Sequence, residues 1–425
     1  MALTVLKGTI VSAPALGRLE VVKGGYLVAE DGMVRGVFSA LPEQYAGAAV
    51  EDFGDALVLQ SLADLHLHAP QYPMMAVGMD LPLLDWLNTY AFPTEARYAD
   101  LDYAREVYRR LARDLVENGT TRVCMFSSLH RQATRILMEE LERAGVTGYV
   151  GKVNMDRNGA PDLQETTEES MAETLRWLEE CRDFRLVKPM VTPRFTPSCT
   201  DELMDFLGKL AAERGLPVQS HLSENRAEIA WVAELHPDCG QYWETYAKYG
   251  LWNARTLMAH CVWSDERERR AMKDAGVTAV HCADSNQVLC SGVAPVRAML
   301  DEGMKVALGT DVAGGSSLSM FDAAAAAIGA SKSRRILDGG ETGLLNAAEA
   351  WYLATSAGAA FFGDAPGFAP GGALHALVLD DSRLLQPHPL TPEERLERCL
   401  YVRQPGAVRA VWSAGRKVFS AEPST

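Results

Sequence analysis

The chain has 425 residues, of which 48% are hydrophobic and 23% charged, an ordinary globular composition. It has no run of eighteen apolar residues and no recognisable signal peptide, so we expect neither a membrane-spanning segment nor secretion. The net charge of −15 disfavours a nucleic-acid partner, and the eight scattered cysteines, without a CxxC pair, predict free thiols in the cytoplasm.

The central part of the chain alternates between short apolar runs and amphipathic segments. The amphipathic segments carry helix signals, such as the Thr166–Glu169 capping box and Gly145 and Gly215 at helix ends. Eight strands alternating with helices predict a (β/α)8 TIM-like barrel. In chain order, the strands are expected at 62–66, 121–126, 147–154, 186–192, 217–221, 256–260, 277–281 and 305–310, with helices at 103–118, 133–144, 166–184, 201–214, 224–235, 265–274 and 294–302.

The two ends of the chain have a different sequence pattern from the central part. Residues 1–58 and 373–425 consist of short β-prone pieces separated by turn residues. We predict that both ends form one small β-sandwich domain beside a barrel of residues 59–372. Two unrelated flanking extensions are the alternative.

Histidines are concentrated at the ends of the predicted strands. His66 and His68 end the first strand, His221 the fifth and His260 the sixth, while Asp311 follows the eighth. Alternate residues of a strand face the same side, so both imidazoles of the His-x-His pair should point into the barrel mouth, where the active sites of such barrels lie. This donor set predicts a zinc ion with one position left for water. The alternative is a set of buried, hydrogen-bonded histidines.

Glu224 follows His221 by three residues and begins a predicted helix. A glutamate beside a zinc-activated water is the proton carrier of zinc deaminases, so we predict a general acid/base role for Glu224. His260 would hydrogen-bond the water or the developing tetrahedral oxygen. The alternative for Glu224 is a carboxylate that merely stabilises the helix N-terminus.

At these residues the chain resembles the amidohydrolase superfamily and, within it, the guanine deaminase family. The general signals are Asp64-Leu-His-Leu-His68, the lone histidines and Leu308-Gly-Thr-Asp311. The likeness extends over residues 60–360. The narrower motifs are His68-Ala-Pro-Gln71, the segment 80–97, Gly151-Lys-Val-Asn-Met-Asp156, Thr192-Pro-Arg-Phe195, Gln219-Ser-His-Leu-Ser-Glu-Asn225 and Asp311-Val-Ala-Gly-Gly315.

The resemblance implies hydrolysis of guanine to xanthine and ammonia in purine catabolism, by a cytoplasmic enzyme that is commonly a homodimer. It implies that Asp311 takes a proton from the water, and that Gln71 and the pair Arg194-Phe195 hold the base, with Arg194 toward the ring carbonyl oxygen. A surface ion pair is the alternative for Arg194. The implied ligands of one zinc ion per subunit are His66, His68, His221 and Asp311.

Departures from the family pattern leave the substrate range open. After the seventh strand the chain has His281-Cys-Ala-Asp284-Ser-Asn286, where the family commonly has proline in place of Ala283, and Asp284 adds a charge near the pocket. A deaminase of cytosine, a pterin or an aminotriazine is one alternative, and a non-catalytic scaffold is another. Trp86, Tyr90 and Phe92 would either cover the base or pack in the core.

Overall fold

The computed structural model describes residues 2–421. Met1 and residues 422–425, which the sequence assigned to the terminal β domain, lie outside the described residues. The strands in chain order are β1 (Leu3–Ala15), β2 (Arg18–Glu30), β3 (Met33–Phe38), β4 (Val50–Gln60), β5 (Leu62–His68), β6 (Thr120–Phe126), β7 (Thr147–Gly151), β8 (Val153–Asn154), β9 (Val187–Pro189), β10 (Thr192–Pro193), β11 (Val218–Leu222), β12 (Thr256–His260), β13 (Thr278–His281), β14 (Lys305–Leu308), β15 (Ala376–Leu379), β16 (Val408–Ser413) and β17 (Arg416–Ser420).

Helices connect most of the central strands. A π-helical turn, Leu87–Ala91, joins the first two α-helices, and a second π-helical turn, Leu353–Ala357, joins the thirteenth and fourteenth α-helices. The α-helices are α1 (Leu83–Trp86), α2 (Phe92–Ala96), α3 (Leu101–Glu117), α4 (Arg131–Ala144), α5 (Thr167–Glu180), α6 (Asp201–Arg214), α7 (Arg226–Leu235), α8 (Glu244–Ala247), α9 (Glu266–Ala275), α10 (Ala283–Val288), α11 (Val296–Asp301), α12 (Met320–Leu337), α13 (Ala347–Tyr352), α14 (Gly358–Phe361) and α15 (Pro392–Tyr401).

The two ends of the chain meet in one seven-stranded sheet. Its order is β17-β16-β15-β4-β1-β2-β3, and every neighbouring pair is antiparallel except β1 with β4. One face buries its own apolar cluster, which includes Leu6, Leu27, Val58 and Trp412. The predicted union of both ends is therefore present. Within residues 2–421 these strands are hydrogen-bonded into one seven-stranded sheet, which fits the predicted β-sandwich in part.

The central strands form parallel sheets with helices between them. One sheet has the order β5-β6-β7-β9 and the other β11-β12-β13-β14, with all six neighbouring pairs parallel. Two predicted strands are each divided: 147–154 forms β7 and β8, and 186–192 forms β9 and the start of β10. Pro189 ends β9, because a proline has no N–H to continue the hydrogen-bond ladder. β8 and β10 pair with each other in a separate two-stranded sheet.

Helix α6 shows how local signals set the boundaries of an element. The hydroxyl of Thr200 accepts a hydrogen bond from the backbone N–H of Leu203, and Gly215 ends the helix with φ of +61°. Its apolar face, with Leu203 and Leu207, packs into the largest core cluster. In the part of the chain that the structure describes, no helix combines the length and the apolar character needed to cross a membrane. All eight cysteines are free thiols.

Candidate active site

The sequence-predicted metal ligands come together at the carboxyl ends of the parallel strands. Nε2 of His68 lies 3.2 Å from Nε2 of His221, and Oδ1 of Asp311 lies 3.2 Å from Nε2 of His66 and 3.5 Å from Nε2 of His68. The ligand atoms of His66, His68 and His221 are all within 4.8 Å of one another, as are those of His66, His260 and Asp311. His66, His68, His260 and Asp311 are buried, and His221 is partly buried. Five donors from the ends of four strands therefore face one point.

The protonation states of these groups suit a cation. Nδ1 of His221 lies 2.6 Å from the backbone carbonyl oxygen of Arg194, so Nδ1 carries the proton and Nε2 presents a lone pair to the cluster. Burial lowers the pKa of His66, His68 and His221, which favours neutral imidazoles. Nε2 of His66 is buried without a hydrogen-bond partner in the described structure. Converging imidazole lone pairs and a carboxylate fit zinc.

Asp311 is oriented by its backbone and its neighbours. Its N–H donates to the carbonyl oxygen of His66 at 2.8 Å, which links the end of β14 to β5. Burial alone would raise the pKa of Asp311, but its close contacts with His66, His260 and the hydroxyl of Ser285 outweigh burial and hold that pKa at about 2. Asp311 and His260 have φ values of +50° and +73°, in the left-handed region that non-glycine residues rarely adopt. Such conformations concentrate at functional sites.

Glu224 and His260 lie next to each other beside the ligand cluster. Nε2 of His260 lies 3.5 Å from Oε2 of Glu224 and 3.9 Å from Oδ2 of Asp311, while its Nδ1 lies 2.8 Å from the amide oxygen of Asn286. Ser291 donates a hydrogen bond to Oε1 of Glu224 at 3.1 Å. Burial raises the pKa of Glu224 to about 7. This carboxyl group can therefore both take up and release a proton near neutral pH.

One cavity joins the ligand cluster to the predicted base-binding residues. Gln71 lies just after β5 in the 3₁₀ segment Ala69–Met74, and Arg194 and Phe195 directly follow β10. All three line the cavity together with Glu224 and Asp311. Such a mixture of a few polar groups and an apolar wall is typical of small-molecule sites. The remaining lining residues are His68, His221, His260, Glu228, Leu83, Leu84, Trp86, Leu87 and Leu289.

Arg194 is buried rather than part of a surface ion pair. Its exposed fraction is 3%, and its guanidinium donates to both oxygens of Glu95, at 2.6 and 3.1 Å. The ring of Phe92 lies 5.0 Å from the guanidinium carbon. The surface alternative for Arg194 is therefore wrong. Sequence reasoning did not single out Glu95, although it lies inside the quoted segment 80–97.

Other side chains around the site were also missed or differ from expectation. Three polar side chains at the site were not singled out: Asn286 contacts His260, Ser285 contacts Asp311 and Ser291 contacts Glu224. They follow β13, after which the sequence departs from the family pattern. Asp284 does not line the cavity. Instead it accepts hydrogen bonds from the backbone N–H and hydroxyl of Ser316, at 2.6 and 2.7 Å. Of the three aromatic residues, Trp86 lines the cavity, and Phe92 lies against Arg194.

Comparisons with known proteins agree with this architecture. The amidohydrolase family model matches residues 57–418. Guanine deaminase of Dictyostelium discoideum is 36% identical over 374 residues, covering 83% of this chain and 82% of that protein. Guanine deaminase of Rattus norvegicus is 46% identical over 268 residues, covering 62% of this chain and 59% of the rat protein, so that match spans less than two thirds of the relative.

A solved structure is similar over the whole chain. The crystal structure of guanine deaminase from C. acetobutylicum, with guanine bound in the active site, has a TM-score of 0.96 and 42% sequence identity. The match covers 98% of this chain and 100% of the other. The residues matched by the family model include all the strands that carry the ligand cluster. The chain belongs to the amidohydrolase family.

Proposed function

We propose that this chain is a zinc-dependent hydrolase that converts guanine and water to xanthine and ammonia. The observation that carries the proposal is a single buried cavity in which converging imidazoles, a carboxyl group with a pKa near neutrality and a buried arginine meet. A relative that is 42% identical over 98% of this chain has guanine bound in its active site, which supports guanine as the substrate.

We assign a metal site to His66, His68, His221 and Asp311. Neutral imidazole nitrogens and one carboxylate oxygen are donors that zinc prefers. The ion would supply Lewis acidity, which makes water a competent nucleophile at neutral pH. The neutral state of the three histidines and the bare Nε2 of His66 support this assignment.

The proton transfers would fall to Asp311 and Glu224, with His260 beside them. Deamination forms a C–O bond from water, breaks the C–N bond to the amine and moves the protons of water onto nitrogen. Asp311 would accept the first proton from the water, and Glu224 would carry protons to a ring nitrogen and to the departing amine. His260, within reach of both carboxylates, would hydrogen-bond the developing oxygen. The pKa of about 7 allows Glu224 to take up and release a proton within one cycle.

Gln71, Arg194 and Phe195 would bind the base. Arg194 is a donor only, so it suits a carbonyl oxygen and disfavours the amino group that adenine carries at the corresponding position. Gln71 can offer one amide N–H to the cavity while its other contacts are made inside the protein. Phe195 and Trp86 contribute apolar surface for a flat ring.

The two parallel sheets would be halves of one (β/α)8 barrel. A parallel bridge between Val191 and Val218 links one pair of sheet edges, and the N–H of His68 donates to the carbonyl of Val312 at 2.8 Å across the other. Both links support closure. Residues 59–372 would form this barrel domain, and 1–58 with 373–425 the terminal domain. The family resemblance further supports a cytoplasmic homodimer.

Guanine turnover tests the proposal. The native protein and Glu224→Gln are compared at matched zinc content, with Glu140→Gln as a control. Glu140 is 2% exposed and pairs with Arg105 on a neighbouring helix. We expect activity in the native protein and the control and none in Glu224→Gln. Near-native turnover by Glu224→Gln contradicts the acid/base role. Ammonia release from cytosine, a pterin or an aminotriazine, without release from guanine, contradicts the substrate.

A further inference from the structure

We infer that Glu95 positions the two base-binding side chains and cancels the charge of Arg194, so that the cavity selects a neutral purine over a purine anion. This inference deepens the proposed function and rests on it. Glu95 is the buried carboxylate behind the cavity wall, at 1% exposure, and is not itself among the residues that line the cavity.

The geometry shows Glu95 bridging Gln71 and Arg194. Its Oε1 accepts from Nε2 of Gln71 at 2.7 Å and from Nη2 of Arg194 at 3.1 Å, and its Oε2 accepts from Nη1 of Arg194 at 2.6 Å. The bidentate pair restricts the guanidinium plane, and the amide is restricted from its other end by the N–H of Ala313, which donates to Oε1 of Gln71 at 3.1 Å. One carboxylate therefore sets the orientation of both side chains.

Arg194 and Gln71 both keep N–H groups that do not bind Glu95 and can donate to a ligand. Arg194 has five N–H groups, of which two are directed at Glu95, and Gln71 has two amide N–H groups, of which one is directed at Glu95. The remaining donors are free to meet acceptors in the cavity that both side chains line. Without Glu95, each side chain could turn its donors elsewhere, and the pattern presented to the base would be lost.

Charge balance has a separate consequence. Arg194 and Glu95 are paired one to one and are both buried, so the base-binding end of the cavity presents no uncompensated charge. A buried cation without its partner is costly and is stabilised by an anionic ligand. Xanthine ionises near neutral pH because carbonyl groups flank its N–H groups, whereas hypoxanthine stays neutral. The intact pair therefore disfavours the product anion and aids its release.

Competitive inhibition by xanthine and hypoxanthine tests the inference between about pH 6 and about pH 8. In the native protein we expect xanthine to inhibit more weakly as the pH rises. In Glu95→Gln we expect the opposite trend, with inhibition by xanthine about tenfold tighter than in the native protein at the upper pH. Inhibition by hypoxanthine reports the titration of the protein itself, chiefly of Glu224, whose pKa is about 7 and which both proteins share. The groups that face the pair keep one protonation state over this range, because burial raises the pKa of Tyr98 and Tyr108 beside Glu95. Burial likewise lowers the pKa of His130 beside Glu95 and of His68 beside Arg194.

A second variant separates orientation from charge. Glu95→Asp keeps the charge but shortens the side chain, so it should raise KM for guanine about tenfold while the native pH trend for xanthine persists. Glu140→Gln replaces a buried carboxylate that pairs with Arg105 elsewhere in the protein. It should change neither the KM for guanine nor the pH trend of xanthine inhibition. An unchanged KM in Glu95→Asp overturns the positioning role, even where Glu95→Gln does not fold. A native xanthine trend in folded Glu95→Gln overturns the charge role. Absence of guanine turnover in the native protein instead overturns the proposed function.

Discussion

The carboxylate of Asp64 on β5 is hydrogen-bonded to Thr310, which follows β14. Oδ1 accepts from the backbone N–H of Thr310 at 3.0 Å and from that of His66 at 3.2 Å, while Oδ2 accepts from the Thr310 hydroxyl. Asp64 is fully buried, and this burial raises its pKa to about 7. The contact connects the strand that carries His66 to the segment that carries Asp311.

Replacing Asp64 tests this connection. Asp64→Ala leaves the two N–H groups and the hydroxyl without their acceptor, and we expect a loss of about 2–4 kcal/mol in the free energy of unfolding together with lower zinc content. Asp64→Asn keeps an acceptor for both N–H groups and can donate to the hydroxyl oxygen, so it should cost less than about 1.5 kcal/mol. Urea unfolding and metal analysis measure both effects. Equal losses in the two variants would contradict this account.

Gly309 packs so closely against β5, the strand of His66, that any side chain at this position would meet it. A Cβ built on Gly309 would lie 2.8 Å from Cβ of His66 and 3.0 Å from its backbone N and O. We expect Gly309→Ala to lower the free energy of unfolding by about 1–3 kcal/mol and to reduce zinc content. The control is Gly329→Ala in α12, where a Cβ meets nothing within 4 Å and should stabilise the helix by about 0.5–1 kcal/mol. The hypothesis fails if the two variants are equally stable.

Metal removal should destabilise the fold. Bound metal stabilises only the folded state, so chelation is expected to lower the thermal midpoint and zinc to restore it. His221→Ala should abolish both the chelator effect and stoichiometric zinc. His388→Ala, at an exposed position in the terminal segment, should leave both unchanged. Retention of one zinc ion per chain by His221→Ala would show that the ion binds elsewhere.

His375 should make stability depend on pH. It lies where β15 begins, 3.0 Å from the hydroxyl of Thr121, and burial lowers its pKa well below the usual value. The folded state therefore holds it neutral, while the unfolded chain binds a proton below about pH 6.5. Its contribution to stability is complete above that pH and is lost as the pH falls, by up to about 1.4 kcal/mol per pH unit. His375→Gln should unfold with a shallower pH dependence between about pH 5 and about pH 6.5, and parallel curves would rule this out.

Elements with strong local signals were predicted well. Helix α6 and strand β12 have the predicted limits, because Thr200 and Gly215 mark the helix ends and β12 is a short apolar run ending in His260. Two other elements have limits that differ from the predicted ones, in both cases at a proline. The helix expected at 294–302 begins at Val296, after Pro295, and the strand expected at 186–192 breaks after Pro189. Both departures lie at a proline, whose missing N–H is a local feature, so these two limits could have been predicted from the sequence.

The sequence by itself determined which side chains meet at the site: the His-x-His pair, the histidines at later strand ends, Asp311 and Glu224. The period of a strand and the positions of strand ends follow from local patterning. Only the tertiary structure decided their electrostatics. The pKa of Glu224 rises to about 7 because burial removes water from its carboxylate. Glu95 and Arg194 form an ion pair although they are 99 residues apart in the chain. Dehydration and long-range pairing belong to the packed state, which is why neither appears in the order of the residues.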